Sequence, residues 1–136
     1  MGRFHVVICS AALGVLLASA ALSLAAGAAA PAPAKEGSVE GEIIDTACFL
    51  KSNARGEQHK KCAVACSKDG FPTGIVDAGG KVYTILAPSP GLADHQASQA
   101  RITGMVHEAS RTIAPKKLEI QKDGKWQEVP LPESMM

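Results

Sequence analysis

The chain has 136 residues, of which 46% are hydrophobic and 20% are charged, and its formal net charge is +1. A balance this close to neutral provides no electrostatic attraction to nucleic acid or to an anionic membrane surface, so neither is expected as a partner.

Residues 1–30 differ from the rest of the chain. They begin with one cation, Arg3, continue as a long apolar run without acidic residues, and end in small residues. This order predicts a secretory signal peptide cleaved near Ala30, with a second small-residue site at 18–20; a retained membrane anchor is the alternative. Cleavage would also remove Cys9, leaving three cysteines and a formal net charge of 0. The expected location is periplasmic or secreted, where disulfides are stable, with no membrane contact after cleavage.

The mature chain is expected to form one small domain. Cleavage leaves about a hundred residues, which is enough for a single modest core. The Pro- and Ala-rich segment 31–37 is predicted to be a flexible leader, residues 38–130 the domain, and residues 131–136 a disordered tail.

The first half of the domain is predicted to be a strand followed by a helix. Residues 38–45 are rich in β-branched side chains, and Gly41 within them indicates a bulge or a close approach of two backbones. A polar loop at 52–56 follows. Residues 57–68 then predict a short helix that Gly70 brings to an end.

The second half is predicted to be strands separated by short turns. Two β-rich runs within 73–87 flank the glycine pair 79–80, which permits the positive φ angles of a tight hairpin. The remaining predicted elements are one helical turn within 88–99, a strand at 100–110, a strand around 117–121 and a short edge piece at 126–129.

This order predicts a mainly β protein with a small helical insertion. Five short strands, with a turn element before the fourth, are typical of an OB-like five-stranded small barrel. The cysteine-bearing helix would then be inserted between strands 1 and 2. An open α+β sheet built from the same elements is the alternative.

Four residues form the pattern C-x10-H-x2-C-x3-C: Cys48, His59, Cys62 and Cys66. Structural zinc sites commonly use three cysteines and one histidine, and this set also accounts for the odd number of cysteines in the mature chain. The predicted function is therefore metal binding, as structural zinc or as copper handling, because thiolates also favour Cu(I). His95 and His107 are interpreted as surface or strand histidines, although either could supply a copper ligand.

The spacing of these residues limits how they can meet. Cys62 and Cys66 are one helical turn apart, whereas His59 and Cys66 are separated by roughly 10 Å of helix rise. His59 must therefore reach back from a frayed first turn, and the site depends on Cys48 from the end of the first strand.

A disulfide between Cys48 and either Cys62 or Cys66 is the main alternative. It would add about 2–4 kcal/mol of stability to a metal-free binding module for a periplasmic protein or a small ligand. Thiol redox chemistry is a third hypothesis, although the chain has no C-x-x-C motif. A Cys–His nucleophile would need an orienting third group, and none is visible, so no enzymatic activity is expected. Asp45 is interpreted as a turn residue at the end of the strand.

Several segments together resemble a group of small, largely uncharacterised exported bacterial proteins. These segments are GEIIDTAC, HKKCAVAC, GFPTGIV and GKVYTIL, and they span about Gly41 to Leu86; ARITGMV resembles a later strand of the same group. The resemblance implies export and a small β domain with a Cys/His site. It implies no particular reaction, ligand or partner.

Overall fold

The computed structural model describes residues 32–133. The predicted signal peptide and residues 134–136 of the predicted tail therefore lie outside the described residues. The described elements are β1 (Lys35–Asp45), α1 (Thr46–Ser52), α2 (Lys60–Lys68), β2 (Thr73–Asp77), β3 (Val82–Ile85), β4 (Gln99–His107), β5 (Thr112–Lys122) and β6 (Lys125–Val129). Two 3₁₀ segments, Glu57–His59 and Ser89–His95, precede α2 and β4. Across residues 32–133, no helix is long and apolar enough to cross a membrane.

The six strands form one sheet in the order β3-β2-β1-β4-β5-β6. These neighbours pair antiparallel, and β3 also pairs in parallel with β5 through Thr84 with Thr112 and Ile85 with Ile113. The additional pairing closes a ring of hydrogen-bonded strands, β1-β2-β3-β5-β4. The predicted mainly β class is confirmed.

The core lies on one face of the sheet, and it is built from aliphatic side chains together with Tyr83. Buried and partly exposed residues alternate along β4, where every second residue from Ala100 to Val106 is buried. Leu92, from the 3₁₀ segment before β4, is fully buried in the same cluster. The other fully or nearly fully buried members are Ile43, Ile75, Ile102, Ile113, Leu118 and Ile120.

Gly41 marks a close approach of β1 to β2, as its position within the strand predicts. A Cβ atom at this residue would collide with the carbonyl group of Val76. Gly41 pairs with Asp77 on one side and with Ala100 on the other, so it lies where β1 leaves β4 and continues along β2.

The helix and the hairpin lie where the sequence predicts them. Residues 57–68 are helical, although the first three form a 3₁₀ turn and α2 proper begins at Lys60. The hairpin turn is closed by Asp77 and Lys81, and Gly80 has a φ of 79°.

Other boundaries differ from the prediction. β1 already begins at Lys35, inside the predicted leader, because Lys35 to Gly37 pair with β4. β5 begins at Thr112, well before the predicted strand. Helix α1 was not predicted, and it forms because Asp45 caps a seven-residue segment that continues directly from β1.

Candidate metal centre

The first cysteine of the site is positioned by a helix cap. Asp45 ends β1, and its carboxylate accepts hydrogen bonds from the backbone N–H groups of Ala47 (3.1 Å) and Cys48 (3.2 Å). Aspartate is among the preferred N-cap residues because it satisfies donors that lack partners within the helix. Cys48 is therefore held in the first turn of α1, next to the end of a core strand. Asp45 thus lies at the end of the strand, as the sequence predicts, and acts there as the N-cap of α1.

The other two cysteines lie one turn apart on α2. An adjacent face of this helix is anchored by Ala63 and Ser67, which are buried, whereas Cys66 is half-buried and Cys62 is exposed. The helix ends at Lys68, Gly70 follows with a φ of 88° that is favourable for glycine, and Phe71 N–H donates to the carbonyl of Cys66. Both thiols are thus on a more exposed face of α2 than its two anchoring residues.

The three sulfur atoms converge on one point between the two helices. The Sγ atoms of Cys48, Cys62 and Cys66 lie about 4.2–4.3 Å from one another. All three cysteines are free thiols, and a disulfide would require an S–S distance of about 2.05 Å. With Zn–S bonds of about 2.3 Å, a tetrahedral ion would hold its sulfur ligands about 3.8 Å apart, so a contraction of about 0.5 Å would complete a site. We call these three residues the trithiol site.

His59 does not join the trithiol site. It lies in the 3₁₀ turn before α2 and forms a separate group with Asp45 and Cys48, whose ligand atoms are all within 4.8 Å of one another. The four predicted ligands are therefore distributed over two groups that share Cys48. His95 and His107 belong to neither group among the described residues; His107 Nδ1 is 2.6 Å from the hydroxyl of Ser110.

The pKa values of Cys48 and Cys66 are both raised, so these two thiols are held in the protonated form. The Asp45 carboxylate, through a hydrogen bond with the thiol, raises the pKa of Cys48 to about 12, and burial adds to this shift. Burial, followed by the charge of Asp45, also raises the pKa of Cys66. Metal binding must displace these protons, because the thiolate is the ligand.

A buried network of polar side chains anchors α2 to the rest of the domain. The side-chain amide of Gln96 donates to Ser67 Oγ at 2.6 Å and to Thr73 Oγ1 at 3.3 Å. Ser89 Oγ accepts from the backbone N–H of Thr73 at 3.2 Å. Gln96, Ser67 and Thr73 are each at most 1% exposed. The network ties α2 to β2 and to the segment before β4, so the position of Cys66 is set by the fold.

The two wide surface grooves lie elsewhere. One, of about 380 Å³, includes Val39, Tyr83 and Glu108, and the other, of about 430 Å³, includes Arg55 and Trp126. No cysteine lines either groove. The convergent thiols are a more specific chemical signal than the size of an open groove, so we place the candidate site at the thiols.

Asp45 and Gln96 are the site residues that the predicted ligand set omits. The D-x-x-C spacing at the end of β1 signals Asp45, since an N-cap and a residue in the first helical turn must be neighbours. No local pattern indicates Gln96, because its partners are distant along the chain.

Comparisons with protein-family models, curated proteins and solved structures find no match for this chain.

Proposed function

We propose that this chain is an exported, non-enzymatic metal-binding protein that holds one soft metal ion at the trithiol site. The convergence of three thiols from two separate helices carries the proposal. Three cysteines brought within 4.8 Å of one another on a small protein provide a ligand set that thiophilic ions prefer.

The geometry favours copper handling over structural zinc. Structural zinc sites are closed by four ligands, whereas the trithiol site has three ligands and an exposed member, Cys62. Three thiolates are a complete ligand set for trigonal Cu(I). The site also lies outside the aliphatic core, so the ion is not needed to fill the interior.

The proposed scaffold is an OB-like small barrel. The ring of pairings β1-β2-β3-β5-β4 and the 3₁₀ segment before β4 support it. β6 extends this ring as an added edge strand, and α1 and α2 form the insertion between β1 and β2 that carries the thiols. The proposed partner is a periplasmic protein that exchanges the ion through the exposed Cys62.

An anaerobic titration of the reduced protein with Cu(I) in competition with a chelator tests the proposal. We expect one Cu(I) per chain, protection of all three thiols from alkylation, and loss of tight binding in Cys62→Ser. Lys61→Ser, which changes the adjacent exposed residue, is the matched control and should bind like the unchanged protein.

The result that would overturn the proposal is an oxidised pair of cysteines in the protein isolated after export, with no bound metal and no Cu(I) binding after reduction. That outcome would favour the disulfide-stapled binding module. A bond that opens and closes with the redox buffer near physiological potentials would favour thiol redox chemistry.

A further inference from the structure

A small cavity beside Asp45 is lined by two residues that each have a buried polar atom without a hydrogen-bond partner. Its volume is about 10 Å³, which corresponds to about one water molecule, and its walls include Asp45, His59 and Gln96. The unpartnered atoms are His59 Nε2 and Gln96 Oε1. Buried polar atoms are nearly always satisfied, so two of them around one cavity indicate a bound occupant.

The unpartnered oxygen of Gln96 is fixed in position. The residue is fully buried, and its amide nitrogen donates to the hydroxyls of Ser67 and Thr73. The carbonyl oxygen can only accept a hydrogen bond or coordinate a cation. The occupant must therefore present a proton or a positive charge to it.

The charges around the cavity favour a cation. The Asp45 carboxylate is 1% exposed, and none of the ion pairs among residues 32–133 includes it. A second carboxylate, that of Glu42, also lines the cavity and accepts from Gly56 N–H at 2.6 Å. The one cationic side chain among the described residues that line the cavity is the exposed Arg55, and it forms no ion pair with either carboxylate. A buried carboxylate without a charged partner is stabilised by a nearby metal ion.

We propose that Asp45, Cys48 and His59 form a second cation site, the inner site, which shares the Cys48 sulfur with the trithiol site. The inner site takes a borderline divalent ion such as Zn²⁺, because its ligands are one oxygen, one sulfur and one nitrogen within 4.8 Å of one another. The ion lies among these three ligand atoms, and the adjoining cavity, which has room for about one water molecule, holds a water ligand that Gln96 orients. The proposal rests on the proposed function, since a bridging Cys48 thiolate serves both ions.

Titration of the reduced, metal-free protein with ¹¹³Cd²⁺ tests the inner site, because cadmium binds sulfur, nitrogen and oxygen ligands. We expect two ions per chain by native mass spectrometry and two cadmium resonances by NMR. His59→Ala and Asp45→Asn should each lose the same resonance, and Cys62→Ser should lose the other. Asp45→Asn keeps an N-cap residue and so preserves α1. His107→Ala is the matched histidine control and should retain both ions.

A further variant changes Gln96, which is not a proposed ligand. Gln96→Met keeps the length of the side chain and removes the free acceptor, so the inner ion should bind about 10-fold or more weakly, as for other residues that support metal ligands. The variant also removes the amide donor to Ser67 and Thr73, so the ion in the trithiol site should weaken as well, but by a smaller factor than the inner ion. Amide NMR spectra of each variant establish that it is folded.

Two outcomes would overturn the inner site and leave the proposed function standing. One is a single ion per chain that both His59→Ala and Cys62→Ser weaken, which would mean one centre with four ligands. The other is a single ion that His59→Ala does not affect, which would leave only water in the cavity. Binding of no ion at all would overturn both proposals.

Discussion

Asp45 acts on the backbone and on a thiol at the same time. Its carboxylate caps α1 with two hydrogen bonds, and it is the main reason that the pKa of Cys48 is raised to about 12. The same side chain therefore places the cysteine and keeps it protonated in the metal-free protein. A protonated thiol is also a poor nucleophile, so it reacts slowly.

Asp45→Asn should make Cys48 more reactive in the metal-free protein. The variant keeps the cap but removes the charge, so the pKa of Cys48 falls, and each unit of the fall increases the thiolate population about tenfold. The measurement is the alkylation rate of Cys48 at neutral pH, read by peptide mass spectrometry.

The exposed Cys62 in the same sample is the internal reference for that measurement. Equal alkylation rates of Cys48 in the two proteins would show that the carboxylate does not control this thiol.

Tyr83 couples the stability of the fold to alkaline pH. Its hydroxyl donates to the Glu108 carboxylate at 3.0–3.1 Å, and burial together with this bond raises the pKa of Tyr83 above its usual value of 10. A raised pKa in the folded state means that the unfolded chain loses the proton first. The associated stability is thus complete below pH 10 and is lost as the pH rises through the folded-state pKa.

Tyr83→Phe should reduce the loss of folding stability at alkaline pH. The ring keeps its packing, so the free energy of unfolding at pH 7 should fall by only about 1 kcal/mol, the contribution of one hydrogen bond. Urea unfolding between pH 8 and 11 measures the effect. A decline equally steep in both proteins would exclude Tyr83 as its source.

At the scale of the elements, β1 organises both the sheet and the site. It pairs with β4 through its first half and with β2 through its second half, and it ends at the residue that caps α1. Gly41 lies at the changeover, where the Val76 carbonyl leaves no room for a side chain.

Gly41→Ala should therefore weaken the junction of β1, β2 and β4. Forcing a methyl group against backbone costs about 1–3 kcal/mol, since the two strands must separate. Gly37→Ala is the control on the same strand, because its added Cβ would meet Val106 Cγ2 at an ordinary 3.4 Å. Urea unfolding of the two variants compares them, and equal losses would contradict the argument.

Helices α1 and α2 show what the sequence can and cannot predict. The alanine-rich segment before Gly70 predicts α2, and the spacing of Cys62 and Cys66 predicts two thiols on one face. Helix α1 has only seven residues, too few to be stable alone, so it depends on the Asp45 cap and on packing. The separation of His59 from Cys66 follows from helix rise, but the contact of His59 with Asp45 depends on the tertiary fold.

In the sheet, too, the sequence predicts local pairings but not pairings between distant segments. Antiparallel neighbours such as β2 and β3 are encoded by a local turn. The parallel pairing of β3 with β5 joins Thr84 to Thr112 across intervening elements, and no periodicity within either strand specifies it. Gln96 is unpredictable for the same reason, because its partners Ser67 and Thr73 are remote in sequence.

At the scale of the whole molecule, the core and the candidate metal centre are separate. The aliphatic cluster includes none of the three cysteines, and the Gln96 network fixes α2 without an ion. The metal-free protein should therefore stay folded, in contrast to small zinc domains that unfold without their ion.

Circular dichroism with a chelator present measures whether the protein stays folded without a metal ion. We expect an unchanged spectrum and a cooperative thermal transition. The transition temperature should rise on adding metal, because an ion at 100 times its Kd stabilises the native state by about 2.7 kcal/mol. Cys62→Ser should change the stability of the metal-free protein by less than about 0.5 kcal/mol, as exposed substitutions usually do. Loss of the transition in chelator would show instead that the ion is structural.

Under the proposed function, the exposure of Cys62 determines how fast an ion can be captured. Cys48 and Cys66 are half-buried, whereas the Cys62 side chain lies on the surface, where rotamer changes take picoseconds to nanoseconds. Closing the trithiol site by about 0.5 Å therefore requires no refolding of α1 or α2. Under the proposed function, the residence time of the ion would be set by thiolate exchange at Cys62, so the thiol of an acceptor protein would take the ion by associative displacement while Cys48 and Cys66 still hold it.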